Sequence, residues 1–164
     1  MNKKELTARI ILTVLSVIAV GAIFYNSSLD AETSTTQSDP LTYGINQFFA
    51  SINIHITITD KMVRKAAHFS EYAVLGALLS ATIYLYVGKR KETFAMTLPL
   101  GCAVAVCDEV IQLFPKGRSS EVTDMLIDSA GILFSALIIQ LIWYLIERHK
   151  AKKEGKESER FIAE

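Results

Sequence analysis

His68, Glu71, Asp108, Glu109, Asp124 and Asp128 are the side chains here whose types and spacing suit chemistry, and they lie inside or at the mouths of apolar segments. An imidazole with an ordinary pKa of about 6.5 can take or give a proton near neutrality, or hold a metal. Carboxylates can serve as general acid, general base or ligand. Arg64, Lys65, Tyr72, Gln112, Arg118 and Ser119 stand close by in the sequence as binding groups. The cations matter because carboxylates crowded into a low-dielectric space do not all ionise unless positive charge sits among them. Clustered Asp and Glu oxygens with a histidine also suit a divalent metal such as Mg or Mn, although the spacing alone fixes no ligand set.

Helices must position these groups. Lys61, Arg64/Lys65, His68, Glu71/Tyr72 and Leu75 recur at helical spacing, so one helix face carries the polar groups of that segment. Asp108, Glu109 and Gln112 make a second stripe, and Glu121, Asp124, Asp128 and Gly131 a third. Pro115 and Gly117 break the chain between them. The helices themselves are apolar. Ile10–Leu29, Ala66–Val87, Thr93–Phe114 and Met125–Ile146 each have the length of about 20 residues that crosses a hydrocarbon core. With 51% hydrophobic residues and a mean hydropathy of +0.31, the 164-residue chain reads as an all-α integral membrane protein with four transmembrane helices. An ionisable side chain near a bilayer centre costs about 2.5–3.5 kcal/mol even on the gentlest scale, so the expected arrangement is paired and cavity-facing.

The 17 basic and 17 acidic residues cancel, which argues against a nucleic-acid partner. Their distribution is informative. Lys3, Lys4, Arg9, Lys89, Arg90, Lys91 and the tail cations fall on one side of four alternating helices, against Lys61, Arg64, Lys65, Lys116 and Arg118 on the other. Retention of Lys and Arg in the cytoplasm then puts both termini inside and the motif-bearing loops outside. The N-terminal apolar run lacks a small-residue cleavage site of the A-x-A kind, so it reads as a retained anchor. Residues 27–40, rich in Ser, Thr, Asp and Glu, are expected to form an irregular loop. Ile45, Phe48, Phe49 and Ile52 suggest a short amphipathic interfacial helix after it, and 52–58 an extended lead into the next span. Cys102 and Cys107 are five positions apart on one helix, out of disulfide reach, and read as small buried hydrophobes. Residues 1–150 form the membrane domain and 151–164 a charged cytoplasmic tail of disordered composition.

The stretches RKAAHFSEYAVLG at 64–76 and DEVIQLFPKGRSSEVTDMLIDSAG at 108–131, with FYNSS at 24–28, resemble the VanZ-like family, named for an accessory factor of teicoplanin resistance. The resemblance implies a four-span protein of the bacterial plasma membrane, associated in some members with lowered susceptibility to a lipoglycopeptide, a glycopeptide-type antibiotic. It also implies a place of action at the outer face of the cell envelope, and no settled reaction.

Several readings compete. In the first, the polar end is an acid–base site acting on a lipid-linked envelope precursor, with Arg118 holding an anionic group such as a phosphate. In the second, the same groups bind a lipid headgroup, a cationic ligand, the lipoglycopeptide or a partner protein without chemistry. A third reading makes the charges interhelical ion pairs, Arg118 with Asp124 or Asp128 among them, that fix the bundle's register. A proton-coupled carrier is disfavoured, because four short spans show no inverted repeat.

Overall fold

The computed structural model describes residues 2–163, with side chains through Lys153. The chain forms α1 (Lys3–Ser28), α2 (Ala31–Ser51), α3 (Asp60–Val87), α4 (Arg90–Ile111) and α5 (Val122–Ala163), with no strand among the described residues. The expectation of a disordered tail falls largely on residues 154–164, whose side chains lie outside that description, while the α5 backbone continues through Ala163.

Four helices are long and apolar enough to cross a membrane: Lys3–Ser28, Asp60–Val87, Arg90–Ile111 and Val122–Lys153. The second has the lowest mean hydropathy, 1.3 against 1.7 to 2.2 for the others. That low value belongs to the helix carrying His68 and Glu71, which is also the hub: α3 packs on α1, α2, α4 and α5. Thr59 caps it, its side chain accepting from Met62 N. Gly88 ends it in the left-handed region at φ 70°, with its N–H on Tyr84 O, so α3 and α4 turn tightly into antiparallel neighbours.

The core is thin and partly polar. Ile23, Tyr72, Leu75, Leu79, Ala105 and Ile132 cluster inside, while Ser80, Thr93 and Thr97 are buried alongside. Val17, Ile18, Val74, Leu100, Phe134 and Leu137 point outward. Large apolar groups outside and small or hydroxylated ones between helices are what a hydrocarbon solvent selects, because lipid satisfies Leu and Ile as well as a core does. The α3–α5 seam shows this most clearly. A Cβ on Gly131 would lie 2.5 Å from Phe69 O, and one on Gly76 would meet Ser135 Oγ and the Ile132 backbone. Glycine is what allows the backbones to come this near.

Two expectations need correction. Residues 27–40 are helical rather than irregular except at Leu29 and Asp30: α1 runs through Ser28 and α2 starts at Ala31, with Asp30 as its cap accepting from Thr33 N at 2.8 Å. The hydroxyls that suggested a loop bond back along the helix, Thr35 to Ala31 O, Thr36 to Glu32 O and Thr42 to Ser38 O, and so do not compete with it. Pro40 is accommodated inside this helix. The amphipathic helix is therefore longer than its apolar spacing suggested. The cysteines are free, but they are not buried: Cys107 is exposed and Cys102 half-buried.

At the end of the bundle away from α2, Arg90 pairs with Glu147 at 2.6 Å, Tyr84 stacks on Trp143 and Arg9 lies over the Tyr86 ring. The opposite end gathers the α1–α2 junction, the start of α3, the end of α4 and the start of α5. The functional candidates are there.

Candidate functional site

The α4–α5 connection folds this end closed. Gly117 takes φ 74°, a backbone only glycine adopts freely, and Ala31 N donates to Lys116 O at 3.1 Å, which ties the connection to α2. Arg118 then reaches across, its Nη2 donating to Asn26 O at 3.2 Å and Ser34 Oγ at 3.1 Å. Glu109 supports the turn from below. Its Oε2 accepts from Ser120 Oγ at 2.7 Å and from Glu121 N at 3.0 Å, just ahead of α5, where the free N–H groups of a helix start favour negative charge.

Between these elements lies a cavity of about 130 Å³. Of the residues singled out in the sequence, Arg64, Lys65, His68, Gln112, Arg118, Ser119, Asp124 and Asp128 line it, joined by Lys61 and Glu121. Asp108 stands behind His68, its Oδ2 3.8 Å from His68 Nδ1. Glu71, Tyr72 and Glu109 are outside the lining. Glu71 turns to α1, accepting from Asn26 Nδ2 at 2.8 Å, and the buried Tyr72 hydroxyl lies beside Asp108 short of a sound hydrogen bond.

The charges are layered. At the rim Lys61 bonds Glu121 at 2.8 Å, and Lys65 pairs with Asp124 and, at 3.6 Å, with Glu121, so α3 is clipped to the start of α5. The Lys61 bond holds the Glu121 carboxyl below its ordinary value. Arg118 pairs with neither Asp124 nor Asp128, contrary to the ion-pair reading. Among the described residues no carboxylate is within ion-pairing reach of Arg64 or Arg118. Burial, and then the like charge of Arg64, lower the Arg118 guanidinium from its ordinary value. The two guanidinium groups thus line one cavity without an ion-pair partner among the described residues, Asp108, Glu109 and Asp30 acting on Arg118 only from a distance.

The floor is acidic. Asp108 and Asp128 are both 0% exposed, and His68 Nδ1 stands 3.7 Å from Asp128 Oδ1. Gln112 Nε2 donates to Asp108 Oδ2 at 3.2 Å and faces Ser27 Oγ at 3.4 Å. His68, Asp108 and Asp128 offer ligand atoms all within 4.8 Å of one another, from three different helices. Such a floor can hold and move protons, or hold a cation.

Asn26 and Ser27 went unrecognised as site residues in the sequence. Ser27 is completely buried against Gln112, and Asn26 holds both Glu71 and Arg118. Their signal was a polar pair closing an otherwise apolar helix, in the FYNSS stretch already noted for its resemblance.

No curated protein and no solved structure matches the chain. The family model described as VanZ/LLP1 matches residues 12–144, a stretch that contains all of the spans' polar stripes and the whole cavity lining, and the chain belongs to that family.

Proposed function

We propose that the cavity is the working site of a multi-pass plasma-membrane protein, that it opens to the extracytoplasmic side, and that it takes the anionic headgroup of a lipid-linked envelope precursor. The observation that carries this reading is the pair Arg64 and Arg118, two guanidinium groups lining one cavity with no carboxylate in ion-pair contact among the described residues. Guanidinium forks match phosphate oxygens in shape as well as charge. Below them His68, Asp124 and Asp128 supply groups able to take and return a proton at the bound headgroup. The orientation rests on Lys3, Lys4, Arg9, Lys89, Arg90 and Lys91 at the opposite end of the spans. The VanZ/LLP1 membership supports an effect on teicoplanin susceptibility as the cellular consequence.

A second reading has its own observation. Lys61, Lys65, Glu121 and Asp124 clip α3 to α5, and a purely structural network would do no more than that. Such a network accounts for the bonds of Arg118 to Asn26 and Ser34 but leaves the charges of Arg64 and Arg118 without ion-pair partners among the described residues, which favours the first reading.

The test is teicoplanin susceptibility of a sensitive bacterial host carrying wild type, Arg118→Gln or Arg64→Gln/Arg118→Gln, with membrane levels matched by immunoblot. Wild type lowers susceptibility and the double variant does not. A double variant with full effect, or a wild type with none, overturns the reading.

A further inference from the structure

Beneath the arginine rim the floor poses a separate problem of charge. Asp108 and Asp128 are fully buried, and among the described residues no lysine or arginine bonds either of them. Lys65 is engaged by Asp124 and Glu121, Lys61 by Glu121, and Arg118 by Asn26 and Ser34. Both oxygens of Asp128, Oδ1 of Asp108 and Nδ1 of His68 are buried with no hydrogen-bond partner among the described residues. Buried polar atoms are nearly always satisfied, so His68 Nδ1 and Asp128 Oδ1, unpartnered and 3.7 Å apart with Asp108 beside them, mark a missing occupant.

We propose that His68, Asp108 and Asp128 bind a divalent transition-metal cation of the Mn2+/Zn2+ class. The charge balances, since two carboxylates and a neutral imidazole bring two negative charges to a dication. Donor chemistry narrows the choice, because an imidazole among oxygens suits Mn2+ or Zn2+ better than Mg2+. The spacing fits as well. Metal–ligand bonds of about 2.0–2.2 Å put neighbouring donors roughly 3.3–3.6 Å apart. His68 Nδ1 lies 3.7 Å from Asp128 Oδ1 and 3.8 Å from Asp108 Oδ2, and the three ligand atoms all lie within 4.8 Å of one another, so side-chain movement of about an ångström or less closes the set. Each ligand comes from a different helix, and Gln112 Nε2 orients Asp108 from outside the set. His68 and Asp128 also line the cavity, which gives the ion an entry path and leaves an open coordination side toward Arg64 and Arg118. The cation goes beyond the anion reading and does not depend on it: a failed lipid assay leaves these orphaned ligands in need of an occupant.

The experiment uses full-length protein in mild detergent, stripped with a chelator, desalted, and given Mn2+ or Zn2+. Bound metal is measured by elemental mass spectrometry and the melting temperature is followed in parallel. Wild type retains close to one ion per chain after desalting and melts at higher temperature with metal. Asp128→Asn and His68→Gln each lose at least ten-fold in affinity. Glu147→Gln, a carboxylate change at the far end, keeps wild-type binding. Because Asp128 is buried, His68→Gln at the cavity wall decides the matter if Asp128→Asn does not fold. Wild type that binds neither metal, or a folded His68→Gln that binds as wild type does, overturns the site. In the first of those outcomes the carboxyls are neutralised by protons instead, visible as an infrared carboxylic-acid band.

Discussion

His68 Nδ1 and Asp128 Oδ1 stand 3.7 Å apart across the α3–α5 seam, and neither Asp128 oxygen accepts a hydrogen bond. Asp108 Oδ2 lies 3.8 Å from the same nitrogen. Two carboxylates sharing one imidazole in a water-poor space repel each other. In chelator, Asp128→Asn is therefore expected to melt at or above the wild-type temperature, since it removes one buried charge and keeps the shape. A drop of several degrees in a detergent thermal-shift assay would mean that Asp128 is tightly paired after all.

Gly131 sets how near α3 and α5 approach. Its missing Cβ would fall 2.5 Å from Phe69 O and 3.1 Å from Ala73 N, both backbone atoms that cannot swing aside. Gly131→Ala should destabilise by about 1–3 kcal/mol or more, the cost of overpacking a rigid contact. The same displacement lifts His68 away from Asp128, so metal retention should fall with it. Unchanged melting and unchanged metal retention in Gly131→Ala would show that the seam is looser than this packing.

The rim responds to acid in a defined direction. The Lys61 hydrogen bond depresses the Glu121 carboxyl below its ordinary value of 4.5. Its stabilisation is then complete above that value and lost as pH falls through the depressed folded one. Glu121→Gln should flatten the acid side of the melting-temperature profile below about pH 4.5 while changing little at neutral pH, where exposed pairs contribute weakly. High salt should mimic the substitution. A variant that melts with the wild-type acid slope removes Glu121 as its cause.

Much of this architecture is legible in the sequence, for physical reasons that differ by element. The spans are set by length and apolarity alone, and the polar faces of α3 and α5 by the three- and four-residue spacing of His68, Asp124 and Asp128. The helix α2 was misjudged because Ser and Thr usually pull backbone into turns, whereas here Thr35, Thr36 and Thr42 satisfy their hydroxyls on their own helix. Cysteine burial was misjudged because "inside" inverts in lipid, where Cys107 can face outward without penalty. Sequence spacing places Glu71 and Glu109 on the right helices, but it does not reveal that Asn26 draws one toward α1 and that the α5 start claims the other. Those partners come from distant parts of the chain, which no local periodicity encodes.

Orientation is open to labelling. In a background without Cys102 and Cys107, a cysteine at Ser51, exposed at the end of α2, should react with a membrane-impermeant maleimide added to intact cells. A cysteine at Lys91, in the basic turn at the other end, should react only after the membrane is opened. The reverse pattern would place the cavity on the cytoplasmic side and remove the extracytoplasmic substrate.

The most direct measurement is lipid selectivity of the purified protein, by native mass spectrometry with a long-chain polyprenyl phosphate competing against phosphatidylcholine. Arg64 and Arg118 line the cavity without an ion-paired carboxylate among the described residues, and hydrogen bonds to charged groups contribute about 1.5–3 kcal/mol each. Wild type should prefer the polyprenyl phosphate, and Arg64→Gln/Arg118→Gln should lose at least ten-fold of that preference while remaining folded. Equal retention of both lipids by wild type, or an undiminished preference in the folded double variant, would contradict the assignment of this cavity to an anionic headgroup.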